Sequence, residues 1–144
     1  MTTLAGPFVG LLLLSHGPLA NALRETVHML EPDEPDDLGS LSLAWDESPE
    51  AASRRLEKAI AEVNRGKGVV LLTDMFGGTP SNLGMTFLET DKVEVITGVN
   101  LPMLIKLTSL SETSNLLAVA REMRDDGRNA IWVASDLLRS EKTP

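Results

Sequence analysis

The chain has 144 residues, of which 42% are apolar and 24% charged, with a formal net charge of −8 and no cysteine. This composition excludes a disordered or fibrous chain, and the length fits one domain, 1–144, with one buried core. The acidic charge and scattered basic residues argue against nucleic acid as a partner, and the missing cysteine excludes disulfides and thiolate chemistry. We expect a cytoplasmic protein, because the first apolar run is far too short to span a bilayer and follows no basic segment.

Apolar runs alternate with amphipathic stretches along the chain, a pattern typical of an α/β fold with a parallel sheet. Most predicted strands are continuous aliphatic runs, and the second alternates apolar and small residues like a half-buried edge strand. In chain order the predicted strands are 8–14, 41–45, 68–73, 93–96 and a last one at 131–134.

Turn and cap residues predict the helices between these strands. Gly17 and Pro18 open the first helix, and Thr79 with Pro80 predicts a hydroxyl cap followed by proline at the first helical position. A proline-broken acidic loop at 31–37 is predicted to be a solvated linker. In chain order the predicted helices are 17–30, 49–64, 79–88 and helical stretches that end near 126.

His16 and Asp74 come just after the first and third predicted strands. Ligands of open parallel sheets bind beyond the carboxyl ends of the strands, where the strand order reverses. With the order 2-1-3-4, those two strands are neighbours, and the imidazole can meet the carboxylate. An unperturbed imidazole has a pKa of roughly 6.5 and so offers a nucleophilic nitrogen near neutral pH. Asp74 could accept a hydrogen bond from one ring N–H and direct the other nitrogen outward.

A phosphoryl group on this histidine also needs hydrogen-bond donors. Gly77 and Gly78 precede a helix start, and a second helix starts at Gly17, so backbone N–H groups and two helix dipoles could converge there. Such a cradle needs neither metal nor lysine, and we expect no cofactor. Side-chain donors nearby are Ser15, Thr79, Ser81 and Asn82.

Each of these residues also has a structural explanation. A histidine after a strand is more often structural than catalytic, the glycine pair could simply make a tight turn, and Asp74 could be a turn or cap residue. Their joint placement on one edge of the sheet favours chemistry. His28 lies inside the first predicted helix and is expected to have a surface or packing role.

Three segments resemble the motifs of one family: Leu14-Ser15-His16-Gly17, then Thr73-Asp74-Met75-Phe76-Gly77-Gly78-Thr79-Pro80-Ser81-Asn82, then Gly98-Val99-Asn100-Leu101-Pro102-Met103. They are similar to the IIA component of the mannose-family phosphoenolpyruvate-dependent sugar phosphotransferase system. The resemblance implies a three-layer αβα fold with four parallel strands in the order 2-1-3-4. It also implies a homodimer in which a C-terminal antiparallel strand is exchanged between subunits.

The resemblance implies that His16 takes a phosphoryl group on its tele nitrogen from phospho-HPr and passes it to a histidine of a IIB component. Asp74 matches the aspartate that orients this histidine. Membrane association would arise only through IIC and IID permease partners. The residues that match the phosphate-binding positions are Gly17, Gly77, Gly78, Thr79, Ser81 and Asn82, with Thr79 where the family often has serine.

Other functions stay open at this point. No IIB domain follows the last predicted strand, so the carrier could serve a sugar permease or a regulatory pathway without transport. A phosphoryl-donor subunit of a dihydroxyacetone kinase system has a similar fold, but the second and third motifs favour the mannose type. A histidine-nucleophile phosphatase usually places arginines around the phosphoryl group, and here Arg24 lies well inside the first predicted helix. A flavodoxin-like module would need aromatic residues that are scarce in this chain.

Overall fold

A computed structural model describes residues 8–33, 38–105 and 115–139. Its centre is a parallel four-stranded sheet with the strands in the order β2-β1-β3-β4. The predicted α/β class and strand order are thereby confirmed. The strands are β1 (Phe8–His16), β2 (Leu38–Leu43), β3 (Gly66–Thr73) and β4 (Val93–Thr97).

Helices cover both faces of the sheet and make the three layers that were predicted. The helices are α1 (Leu19–Leu30), α2 (Pro49–Val63), α3 (Thr79–Met85), α4 (Leu101–Leu104), α5 (Leu116–Asn129) and α6 (Ala134–Arg139). One hydrophobic cluster joins α1, α4 and α5 to the sheet, and a second joins α2 and α3 to its other face. Residues 34–37 of the predicted acidic loop and residues 106–114 of the predicted helical stretch lie outside the described residues.

The two central strands are apolar on both sides because helices cover both faces. Along β1, Leu11 and Leu13 enter the first cluster, whereas Leu12 and Leu14 enter the second. All four leucines are at most 3% exposed. This burial explains the unbroken aliphatic run that predicted the strand, and it fixes the end of β1 rigidly beneath the site described below.

The edge strand β2 ends two residues earlier than the alternating pattern predicts. Leu43 pairs with His16, the last residue of β1, so no partner backbone continues beyond this point. The chain turns there, with the N–H of Glu47 donating to the carbonyl of Ala44 at 3.3 Å. The prediction that Trp45 belongs to the strand is therefore wrong.

The start of α3 is at the predicted residue, but its cap is different. Gly78 is the N-cap, and the Thr79 hydroxyl makes no capping hydrogen bond. The predicted hydroxyl cap is therefore wrong. The Ser81 hydroxyl instead makes the hydrogen bonds to the loop before the helix, as described below. The helix ends at Met85, before the predicted 88.

The last predicted strand, 131–134, is not present in the single chain. Residues 131–133 have no regular secondary structure, and Ala134 begins α6. These residues pair with no strand in the described part of the chain, and a strand cannot form without a partner for its backbone groups. The exchange of this segment between two subunits involves a second chain and stays a prediction.

No helix within the described ranges is long and apolar enough to cross a membrane.

Candidate functional site

The carboxyl ends of β1 and β3 bring two predicted site residues together. His16 is the last residue of β1, and Asp74 follows β3 directly. The strands are hydrogen-bonded neighbours, with Leu14 opposite Thr73. Parallel strands end at the same edge of the sheet, so the two side chains meet at the position where strand order reverses.

Asp74 binds His16 through a single oxygen. Its Oδ2 accepts the backbone N–H of His16 at 3.0 Å and lies 2.8 Å from the ring Nδ1. The other oxygen, Oδ1, accepts the N–H of Met75 at 3.1 Å. The carboxylate is thus fixed at both oxygens, and only 11% of the Asp74 side chain is exposed, against 26% for His16.

The ionisation of Asp74 determines which imidazole nitrogen carries the proton. Burial works to raise the pKa of Asp74, but the hydrogen bonds from the backbone and ring of His16 outweigh it and leave this pKa below its ordinary value. A carboxylate can only accept a hydrogen bond, so Nδ1 of His16 is the protonated nitrogen. The lone pair is therefore on Nε2.

The second glycine of the pair allows the loop to close on the imidazole. A Cβ added to Gly78 would lie 2.5 Å from Cε1 and 3.0 Å from Nε2 of His16. Real Cβ atoms do not make such contacts, so glycine is the residue that permits this approach. Gly77 has a different reason to be glycine, because its φ is +89° and the space around it is open.

Ser81 connects the two glycines to the start of α3. Its buried hydroxyl accepts the N–H of Gly77 at 2.9 Å and donates to the carbonyl of Gly78 at 3.1 Å. The N–H of Gly17 also has a partner within the chain, since it donates to the carbonyl of Leu43 at 3.1 Å. The structure therefore brings Gly17, Gly77 and Ser81 to the site, but their donors already have partners.

Three other predicted residues keep unused donors. The N–H groups of Gly78 and Thr79 reach no acceptor within the described part of the chain. The Thr79 hydroxyl and the Asn82 amide are also without a partner there, and both residues are exposed. Backbone N–H groups in the first turn of a helix are the donors that bind anions in proteins.

Ser15 shapes the start of α1. Its buried hydroxyl accepts the N–H of Ala20 at 2.6 Å and donates to the carbonyl of His16 at 3.2 Å. This serine therefore links the end of β1 to the first turn of the helix. Its donor is used within the chain.

The third motif braces the site from the far side of β3. The N–H groups of Gly98 and Val99 both donate to the carbonyl of Thr73 at 3.0 Å. Asn100 accepts the N–H of Met103 at 3.2 Å and donates to the carbonyl of Gly127 at 3.0 Å. These bonds fix the residue immediately before Asp74.

Trp45 completes the surroundings of the imidazole, and the sequence analysis did not place it there. The ring centroids of Trp45 and His16 are 5.5 Å apart, with an angle of 31° between the planes. The signal that could have found this contact is an aromatic residue just past the end of an edge strand, at the same edge of the sheet as the histidine.

Exposed apolar side chains lie on the two loops that approach the histidine. Trp45 is 84% exposed, Phe76 71% and Met75 55%. Exposed apolar groups clustered beside a reactive residue are typical of a protein-docking surface.

Among residues 8–33, 38–105 and 115–139, no three His, Asp or Glu side chains come together as metal ligands.

Comparison with known proteins agrees with this geometry. Residues 10–123 match the EIIA-man family, described as the PTS system fructose IIA component. The chain is 26% identical over 136 residues to the PTS system fructose-specific EIIA component of Bacillus subtilis, which covers 94% of this chain and 92% of that protein. It is 28% identical over 128 residues to the PTS system mannose-specific EIIAB component of Escherichia coli, with 85% of this chain and only 39% of that longer protein covered.

A solved structure shows the same fold. The PTS IIA protein associated with the fucose utilization operon from Streptococcus pneumoniae has a TM-score of 0.79 and 27% identity, over 94% of this chain and 100% of that one. The family expected from the three motifs is confirmed, since the matched residues span the strands and loops that build the site. The chain therefore belongs to the EIIA-man family and is a IIA component of the phosphotransferase system.

Proposed function

We propose that this chain, as one domain, 1–144, is a cytoplasmic phosphocarrier that accepts a phosphoryl group from phospho-HPr on Nε2 of His16 and donates it to a histidine of a IIB component. One observation carries the proposal: Asp74 binds Nδ1 at 2.8 Å, which leaves Nε2 as the nucleophilic nitrogen. The family membership supports a phosphotransferase role in general, and the named donor and acceptor are part of the proposal.

The transfer needs no external base. The Nε2 lone pair of His16 attacks phosphorus, the bond from phosphorus to the donor breaks, and its electron pair stays with the donor. The proton on Nδ1 remains there, and the ionised Asp74 stabilises the positive charge that spreads over the imidazole. In the second step the acceptor histidine attacks phosphorus and the Nε2–P bond breaks, which returns the lone pair to His16.

Donors at the start of α3 would bind the phosphoryl oxygens. The N–H groups of Gly78 and Thr79, with the Thr79 hydroxyl and the Asn82 amide, are without acceptors in the described chain and follow the loop that touches His16. Gly17, Gly77 and Ser81 would act by shaping the loops, because their donors are used within the chain.

Protein partners fit this surface better than a small substrate. The exposed Phe76 and Met75, on the loop that follows Asp74, offer an apolar surface beside the histidine that another protein can cover. Both HPr and the IIB component would use this surface in turn. A membrane would then be approached only through IIC and IID permease partners.

The C-terminal segment is proposed to join two subunits. Ile131, Val133 and Leu138 are 65% exposed or more in the single chain. A second copy could cover them by exchange of this segment as an antiparallel strand. Sedimentation at several concentrations tests this, and Ile131→Asp with Val133→Asp should shift a dimer to monomer without loss of folding. A wild type that stays monomeric at high concentration contradicts the exchange.

Mass spectrometry tests the carrier function directly. The protein is incubated with phosphoenolpyruvate, Enzyme I and HPr, and its intact mass is compared with that of His16→Ala and His28→Ala. We expect the mass gain of one acid-labile phosphoryl group in wild type and in His28→Ala, whose exposed histidine lies within α1, and none in His16→Ala or without HPr. A gain in His16→Ala would refute the proposal.

The same reaction separates the carrier from a phosphatase. A phosphatase would release inorganic phosphate steadily from phosphomonoesters, whereas a carrier would keep its phosphoryl group until a IIB component is added. The position of Arg24 favours the carrier, because its Nε donates to the carbonyl of Leu38 at 2.7 Å, at the end of β2 opposite the site.

A further inference from the structure

We propose that Trp45 is a positioning residue for His16, whose indole keeps the imidazole in the orientation that leaves Nε2 free for phosphoryl transfer. The inference rests on the proposed function and deepens it. Trp45 lies beyond the end of β2 and contributes nothing to either hydrophobic cluster. Its contact with the imidazole therefore needs an explanation other than core packing.

The contact between the two rings has the geometry of an attractive aromatic pair. The centroids lie 5.5 Å apart with the planes 31° from parallel. Such pairs are favourable at centroid distances of about 4.5 to 7 Å. The indole also favours a positively charged imidazole through its π face, and positive charge develops on the ring as Nε2 attacks phosphorus.

Asp74 and Gly78 contact the imidazole at two of its corners. Asp74 binds the Nδ1 corner, and Gly78 approaches the Cε1 and Nε2 corner from one side. Neither contact lies on the face of the ring, so small changes in the tilt of the ring are the motion that a third contact can restrict. Trp45 adds a third contact, which restricts the remaining motion of the ring.

The turn that carries Trp45 is built to hold it in place. The N–H of Ala44 donates to Oε1 of Glu47 at 3.3 Å, and Arg55 of α2 reaches both carboxylate oxygens of Glu47 at 2.6 Å. The hydrogen bond from Arg55 holds the pKa of Glu47 below its ordinary value. Ser48 then caps α2 by accepting the N–H of Ala51 at 3.2 Å. The turn that carries Trp45 is therefore anchored to α2 on both sides of the residue.

The exposure of Trp45 raises one alternative, an anchor for the docking partner. Because 84% of the residue is exposed, a bound protein could cover it. A positioning residue acts on the transfer step and changes the maximal rate. A docking anchor acts on partner binding and changes the half-saturating concentration of the partner instead.

Phosphorylation kinetics over a range of phospho-HPr concentrations test the inference. We expect the maximal rate to fall about two- to tenfold in Trp45→Ala, with the half-saturating concentration nearly unchanged. Trp45→Phe retains an aromatic ring and should keep most of the maximal rate. Met29→Ala serves as the control, because Met29 is 80% exposed near the far end of α1.

NMR of the imidazole protons provides a readout that does not depend on transfer. In wild type the indole should shift the His16 Hε1 and Hδ2 resonances by its ring current. That shift should vanish in Trp45→Ala and persist in reduced form in Trp45→Phe. An unchanged spectrum in Trp45→Ala would overturn the contact itself.

The outcomes separate this inference from the proposed function. A wild type that accepts no phosphoryl group overturns the proposed function and this role together. A wild type that is phosphorylated while Trp45→Ala keeps its full maximal rate, or changes only its half-saturating concentration, overturns this inference alone. A lowered maximal rate that Trp45→Phe restores supports it.

Discussion

One oxygen of Asp74 binds both the backbone N–H and the ring Nδ1 of His16, at 3.0 and 2.8 Å. The orientation of the imidazole is therefore fixed relative to the end of β1, because Oδ2 of Asp74 contacts both the strand backbone and the ring. Any movement of the carboxylate changes both bonds at once. This coupling makes Asp74 the residue whose replacement should affect the site most without removing the histidine.

Asp74→Asn should slow phosphorylation while the protein stays folded. The amide has nearly the same shape but carries no charge, so it holds the proton on Nδ1 less firmly and does not stabilise the charged ring electrostatically. Loss of a partner that orients a metal-bound histidine lowers activity by about 10- to 100-fold, and we expect an effect of the same order here. The rate of phosphoryl uptake from phospho-HPr measures the effect, with exposed Asp33→Asn as a charge-matched control. A rate for Asp74→Asn equal to that of Asp33→Asn would contradict the orienting role.

The stability conferred by Asp74 should depend on pH in the acid range. Its pKa is lowered in the folded protein, so its ionised form stabilises the fold above the unfolded-state pKa of about 3.9. This contribution is lost as the pH falls through the lower, folded-state pKa. Urea unfolding of wild type and Asp74→Asn should therefore show the larger stability difference at pH 6 and a smaller one on acidification. A difference that does not change with pH would contradict this assignment.

Alanine at the two adjacent glycines should produce opposite defects. Gly78 has an ordinary backbone conformation, with φ −92°, but an added Cβ would displace the imidazole, so Gly78→Ala should lose phosphoryl uptake and keep most of its stability. Gly77 has φ +89° and open space, so Gly77→Ala should be destabilised by about 1–2 kcal/mol and still accept a phosphoryl group. Thermal melting and mass analysis of both variants measure the contrast, and equal defects in the two variants would refute it.

Ser81→Ala should destabilise the protein, whereas Thr79→Val should not. The Ser81 hydroxyl satisfies the N–H of Gly77 and the carbonyl of Gly78, and its removal from a buried position should lower the free energy of unfolding by about 1–3 kcal/mol. The Thr79 hydroxyl has no partner in the described chain, so its loss should change stability by less than about 0.5 kcal/mol. Chemical denaturation distinguishes the two. The hydrogen-bond assignment fails if Thr79→Val is the less stable variant.

Much of the fold could be predicted because the central strands are buried on both faces and therefore appear in the sequence as continuous apolar runs. The run 8–14 has to be apolar on both faces, and it ends where His16 emerges at the carboxyl edge. Once the strand order is known, the meeting of His16 and Asp74 follows, since adjacent parallel strands end together. The family motifs supplied that order.

Features that depend on pairing partners could not be predicted from local pattern. The alternation of Leu41 and Leu43 continues through Trp45, but β1 offers no backbone beyond His16, so the strand ends and the indole turns to the imidazole. The apolar run at 131–134 looks like a strand, yet the described chain gives it no neighbour. At α3 the pair Thr79 and Pro80 resembles a capped helix start, while the nearby Ser81 makes the hydrogen bonds instead.

The hydrogen bonds from Gly98 and Val99 to the carbonyl of Thr73 have a consequence for how sequences of this type are compared. This third segment supports the backbone beside Asp74, and Asn100 ties it to the end of α5 through Gly127. The residues of this segment therefore indicate that a chain has this fold, and they do not indicate whether the chain accepts a phosphoryl group. A chain that kept this segment but had another residue at the position of His16 would have the same shape and no acceptor nitrogen.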